Sequence, residues 1–109
     1  LRTVESSLKF QARLATQVEL ESSEGDYSDD NFAYGSTPFT SWLKVMCDER
    51  VLPAVKSAMC SPASGHKYMV WGSSLGWMVF YAALTFGWPC VGYELLPCLH
   101  EEALALAER

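Results

Sequence analysis

The chain has 109 residues, of which half are hydrophobic and 13% are aromatic, and its formal net charge is −5. This length is enough for one modest hydrophobic core, and the aromatic content is too high for a disordered protein. Only eight Lys and Arg residues are scattered along the sequence, which argues against direct nucleic-acid binding because phosphate neutralisation needs clustered cations.

The first 20 residues are predicted to form an amphipathic helical arm. Apolar side chains recur there at helical spacings between charged ones, and we expect one helix from about Thr3 to Glu19 that covers a core rather than binds a partner. Residues 21–36 form a second, acidic segment. Within it, residues 21–30 combine Ser, Gly and acidic side chains without apolar periodicity, which predicts a solvated loop.

Residues 37–109 are predicted to form the apolar part of the chain, which begins with a helical layer. A helix should start near Thr37, with Pro38 at its first position, and bury a stripe at positions i, i+3, i+4 and i+7. The stripe residues are Phe39, Trp42, Leu43 and Met46. A further helical segment is expected over 51–59 after a break near Pro53, followed by a loop over 61–65.

The stretch from Lys67 to Pro97 predicts a strand, a turn, a helix and a second strand. Residues 68–71 are a short apolar run between glycines, which is typical of a strand buried on both faces. Residues 77–86 favour a helix of about three turns that ends at Gly87. Residues 90–93 form the second strand, and another helix should follow Pro97. We therefore expect an α/β chain with parallel strands.

The turn between the first strand and its helix carries the predicted binding chemistry. Gly72, Ser73, Ser74 and Gly76 are small, so a ligand can approach the backbone closely. Glu94 directly follows the second strand and lies 22 residues after Gly72, near the position where nucleotide-binding β-α-β units have an acid that accepts hydrogen bonds from ribose hydroxyls. Together these residues predict the first half of a nucleotide-binding unit.

These motifs resemble the class I S-adenosylmethionine-dependent methyltransferases. The pattern is most similar to the non-SET histone-lysine methyltransferases, the branch named for disruption of telomeric silencing. There a G-x-G-x-G turn surrounds the methionine part of the cofactor, and a second-strand acid holds the ribose. A Y-G-E-T loop upstream covers the cofactor, and it is similar to Tyr34, Gly35, Ser36 and Thr37 here.

The resemblance implies a Rossmann-like parallel sheet that binds S-adenosylmethionine. The implied cofactor-binding residues are Tyr34, Gly35, Thr37, Gly72, Ser73, Ser74, Gly76 and Glu94. Trp71, Ser74 and Ser36 stand where the family has an acid, a glycine and an acid. The similarity covers about residues 32–109 and lacks the later strands, where the family's catalytic residues lie. We therefore expect a fragment or a relic that is inactive alone, whose partner is another protein or the rest of its own chain, and we nominate no catalytic residue.

An alternative interpretation is a small accessory or structural subunit of a larger complex. Residues 68–93 carry no formal charge, so this stretch could be a membrane or interface segment, although the glycines near both ends leave too short a continuous helix to span a bilayer. The sequence does not identify the cellular compartment, although an intracellular one is favoured. The four cysteines lack metal-site spacing and are expected to be buried free thiols. His100 is expected to be a solvated helix residue.

Overall fold

The computed structural model describes residues 2–24, 36–60 and 65–109. The chain is mixed α and β, with two strands and six helices in these ranges. In chain order the elements are α1 (Arg2–Glu5), α2 (Leu8–Glu24), α3 (Phe39–Met46), α4 (Leu52–Met59), β1 (Tyr68–Trp71), α5 (Trp77–Phe86), β2 (Cys90–Tyr93) and α6 (Pro97–Ala107). The predicted bounds of β1, α5 and β2 are confirmed.

The two strands are parallel neighbours connected through α5, so they form a β-α-β unit. Their register pairs Tyr68 with Cys90 and Trp71 with Tyr93. The carboxyl ends of both strands therefore lie at the same edge of the sheet. This edge is where ligands bind in open parallel sheets.

One face of the sheet packs on α5, and the other is exposed. Val70 is buried, whereas Met69 is 47% exposed and Trp71 is 74% exposed. On β2, Tyr93 is 46% exposed. The prediction that the first strand is buried on both faces is therefore wrong. A continuous apolar run does not reveal which of two faces is covered, because successive side chains point to opposite sides.

The core consists of two hydrophobic clusters that meet at α5. Cluster 1 joins α2, the turn before α5 and the start of α6, and its buried members are Phe10, Leu75, Trp77, Leu96, Cys98 and Leu99. Cluster 2 is built around Trp42 and Met46 of α3 and Ala82 of α5. Tyr81 packs against both clusters. The α5 helix therefore connects the N-terminal helices to the sheet.

The N-terminal arm differs from the single predicted helix. The chain breaks between α1 and α2, where the Phe10 N–H donates to Ser7 Oγ at 3.5 Å, as in an N-cap. The α2 helix then continues through Glu24, so the predicted loop is wrong for residues 21–24, while 25–30 lie outside the described ranges. Leu and Glu are good helix formers, and a solvated last turn of a helix needs no apolar stripe.

The second helical layer follows the prediction with three differences. The α3 helix begins at Phe39, and Pro38 is its N-cap rather than its first residue. Trp42 and Met46 are buried as expected, but Phe39 is 42% exposed. Pro53 lies in the first turn of α4. A backbone N–H at this position would have no partner within the helix, so a proline there costs no hydrogen bond. The predicted break near Pro53 is instead the start of a helix.

The apolar centre of the chain forms short elements. No helix in the described ranges is both long and apolar enough to cross a membrane.

The four cysteines are free thiols, but only Cys98 is buried, whereas Cys47 and Cys60 are exposed. The expectation of buried thiols is therefore wrong for these two, which both follow the last residue of a helix. His100 is exposed on α6, as expected.

Candidate functional site

The predicted site lies at the carboxyl edge of the sheet, where the turn after β1 meets the end of β2. Trp71 and Tyr93 are register partners, so the turn and Glu94 leave the sheet side by side. The Ser73 N–H donates to the carbonyl oxygen of Tyr93 at 2.9 Å, which extends the contact between the two segments beyond the last pair of the ladder. The structure thus brings together the turn residues and the second-strand acid.

Glu94 accepts hydrogen bonds from two different segments. Its Oε2 accepts from the Ser74 N–H at 2.7 Å, and its Oε1 accepts from the Leu96 N–H at 2.9 Å. Ser74 belongs to the turn, and Leu96 is the N-cap residue of α6. Each carboxylate oxygen has two acceptor positions. Glu94 can therefore keep both bonds and still accept a hydrogen bond from a ligand hydroxyl.

Three backbone amides of the turn have partners within the protein. Besides the amides of Ser73 and Ser74, the Gly76 N–H donates to the carbonyl oxygen of Ser73 at 2.8 Å. These amides hold the turn in shape. The side-chain oxygen of Ser74 differs from them, because it is buried and has no hydrogen-bond partner in the part of the chain that the structure describes.

The two predicted glycines of the turn have different surroundings. Both have positive φ, +68° at Gly72 and +84° at Gly76, a conformation that favours glycine. A Cβ on Gly72 would meet no atom within 4 Å, whereas one on Gly76 would lie 3.2 Å from Phe80 Cε2 and 3.5 Å from Ala103 Cβ. The backbone at Gly72 is therefore open to close approach. Gly76 lets the turn pack closely against α5 and α6.

A third glycine, Gly92, is part of the site, although it is not among the predicted site residues. A Cβ there would lie 2.7 Å from both Cβ and Oγ of Ser73 and 2.9 Å from Cγ2 of Val79. The absence of a side chain on β2 lets the turn and the first residues of α5 lie against the strand. The available signal is a glycine inside an otherwise apolar strand, which often marks close backbone approach.

The predicted upstream loop is described only in part. Tyr34 and Gly35 lie outside the described residues. Thr37 contacts α5, since its carbonyl oxygen accepts a hydrogen bond from the Tyr81 hydroxyl at 3.1 Å. Burial, and to a lesser degree the negative charge of Glu5, raise the pKa of the Tyr81 hydroxyl, so it remains a donor at neutral pH. This bond joins Thr37 to α5 about one helical turn after the residue where that helix begins.

An exposed aromatic pair borders the site. The rings of Trp71 and Tyr93 stack with their centroids 4.7 Å apart and their planes at 17°. Their side chains occupy the sheet face opposite α5, next to Gly72. From sequence, Trp71 stands out only as a departure from the family motif, because ring stacking across two strands depends on their register.

Comparison with known proteins gives no independent assignment. No protein-family model, no curated protein and no solved structure matches the chain. The functional assignment therefore depends on the geometry of the turn and of Glu94, together with the resemblance of the motifs.

Proposed function

We propose that this chain is the cofactor-binding portion of an S-adenosylmethionine-dependent methyltransferase-like protein. Its β-α-β unit is then the first unit of a Rossmann-like sheet. The observation that carries the proposal is the contact between Glu94 and Ser74. It brings the acid expected to bind ribose against the turn expected to surround the rest of the cofactor.

The fit to the ribose depends on the free acceptor positions of Glu94. A diol donates two hydrogen bonds, and among the described residues each carboxylate oxygen of Glu94 accepts one backbone bond, which leaves it a further acceptor position. Gly72 complements this arrangement because its open backbone admits a ligand at close range. Thr37 and, as an expectation, Tyr34 and Gly35 contribute to closure over the cofactor.

When bound, S-adenosylmethionine supplies a sulfonium methyl group for in-line transfer to a nucleophile. The residues of this chain contribute binding and orientation, which accelerate such a transfer by alignment of the reacting atoms rather than by acid-base chemistry. The proposal assigns no catalytic residue, and the chain alone is expected to bind the cofactor without turning it over.

A matched pair of glycine substitutions tests the proposal. Gly72→Ala and Gly87→Ala both place a Cβ in open space at positive φ, +68° and +66°, so each should cost about 1 kcal/mol of stability. Only Gly72 lies at the site. Isothermal titration with S-adenosylhomocysteine should show about a tenfold loss of affinity, or ~1.4 kcal/mol, for Gly72→Ala alone. Equal affinities of the two variants would contradict the assignment of Gly72.

A second candidate function is an accessory subunit that binds another protein. The observation in its favour is the exposed apolar sheet face with Met69, Trp71 and Tyr93, since exposed apolar patches often mark interaction sites. The two functions differ in their response to Met69→Ser, a change on the same exposed face two residues before the end of β1. An accessory subunit should lose its assembly partner on copurification, whereas a cofactor-binding unit should retain its affinity for S-adenosylhomocysteine.

A further inference from the structure

Glu94 bridges two segments that belong to the same core cluster. Ser74 directly precedes Leu75, whose side chain is fully buried in cluster 1. Leu96 is a buried member of the same cluster. Through its two oxygens, Glu94 therefore joins the backbones next to two buried side chains of cluster 1, and a shift of the turn would disturb the start of α6.

The bond to Ser74 also compensates for an unfavourable backbone conformation. Ser74 has φ +53° and is the one residue other than glycine with positive φ in the described ranges. A residue with a Cβ adopts this conformation only where its surroundings hold it there. At 2.7 Å, the hydrogen bond from its amide to a carboxylate is short and charge-assisted, the stronger class of hydrogen bond.

We infer that Glu94 is a positioning residue, which fixes the shape of the turn through Ser74 and links that shape to the start of α6. The inference deepens the proposed function, on which its ligand-binding part depends. A ligand that contacts the turn then depends on Glu94 even where it makes no bond to the carboxylate. Glu94→Ala accordingly weakens the turn as well as any contact with ribose.

Amide hydrogen exchange tests the structural part without a ligand. Glu94→Gln replaces one acceptor oxygen by a donor NH₂ group, so it cannot serve both amides. The exposed Glu49→Gln removes the same charge and is the control. In Glu94→Gln, exchange at Ser74 or Leu96 should accelerate by about tenfold or more, with no change at these amides in the control. Unchanged exchange in Glu94→Gln would overturn the inference.

The wild-type chain provides a second measurement if Glu94→Gln does not fold. Its Ser74 and Leu96 amides should exchange at least about a hundredfold more slowly than unstructured amides. Exchange of the Ser74 amide at the unstructured rate would overturn the inference.

Ligand titration separates positioning from direct contact. S-adenosylhomocysteine and its 2′-deoxyribose analogue are titrated into the wild type and Glu94→Gln. Positioning predicts a loss of affinity for both ligands, because the turn is altered in either case. A loss confined to the ligand with the intact diol would overturn the ligand part of the inference, since Glu94 would then act by contact alone. Absence of binding to the wild type would refute the proposed function, whereas the exchange results test the bridge independently.

Discussion

Gly92→Ala should destabilise the fold, because the structure has no room for a side chain between β2 and the turn. The new Cβ would lie 2.7 Å from two atoms of Ser73 and 2.9 Å from Cγ2 of Val79. Backbone strain does not contribute, since Gly92 is not among the glycines with positive φ. The effect therefore measures the closeness of the turn to the strand.

The expected magnitude follows from two opposing terms. Overpacking in a tight site costs about 1–3 kcal/mol. Replacing glycine by alanine also restricts the unfolded chain, which returns about 0.4–1 kcal/mol. Because contacts at 2.7 Å require atoms to shift, the overpacking cost should lie in the upper half of its range, about 2–3 kcal/mol. The net loss should then be about 1–2.5 kcal/mol, equivalent to a decrease in Tm of about 4–20 °C for a domain near this size.

Urea unfolding of a double-mutant cycle provides the assay. Ser73→Gly removes both atoms that lie at 2.7 Å, so the combined variant should recover part of the loss, with a coupling energy of at least about 0.5 kcal/mol. A Gly92→Ala variant within about 0.5 kcal/mol of the wild type would refute the reasoning, because the turn could not then lie against β2 as described.

Two other predictions concern the clusters. Trp42→Phe removes the Nε1–H that donates to the Tyr68 hydroxyl at 3.0 Å. Because this bond is lost and the ring is smaller, thermal unfolding should show a decrease of about 1–3 kcal/mol in the free energy of unfolding. An unchanged Tm would contradict this expectation. Burial raises the pKa of the Cys98 thiol, with Arg13 opposing the shift, so its thiolate should form at higher pH than that of an ordinary cysteine. Iodoacetamide labelling followed by mass spectrometry should modify Cys98 more slowly than the exposed Cys47 at pH 8, and equal rates would contradict its burial.

The central β-α-β unit could be predicted to the residue because glycines separate its elements. Gly72 and Gly76 bound the turn, and Gly87 with Pro89 separates α5 from β2. Glycine acts locally because it allows positive φ, and proline acts locally because it lacks a backbone N–H donor. Their effects can therefore be predicted from a single sequence. The same local logic identified the helix after Pro97.

The bonding of Glu94 could not be predicted in the same way. Its position after a strand suggested a role in binding ribose, but its contacts depend on the left-handed conformation of Ser74 and on the register of the two strands. The exposure of Trp71 likewise depends on which sheet face α5 covers. These features arise from tertiary geometry, and no local residue pattern reports them.

The most direct test of the proposed function is calorimetric titration of the folded wild-type chain with S-adenosylhomocysteine, which requires no knowledge of the methyl acceptor. We expect saturable binding at micromolar concentration, which corresponds to about −8 kcal/mol. A chain that shows a cooperative unfolding transition but no binding at millimolar ligand would contradict a cofactor-binding function and favour an accessory subunit.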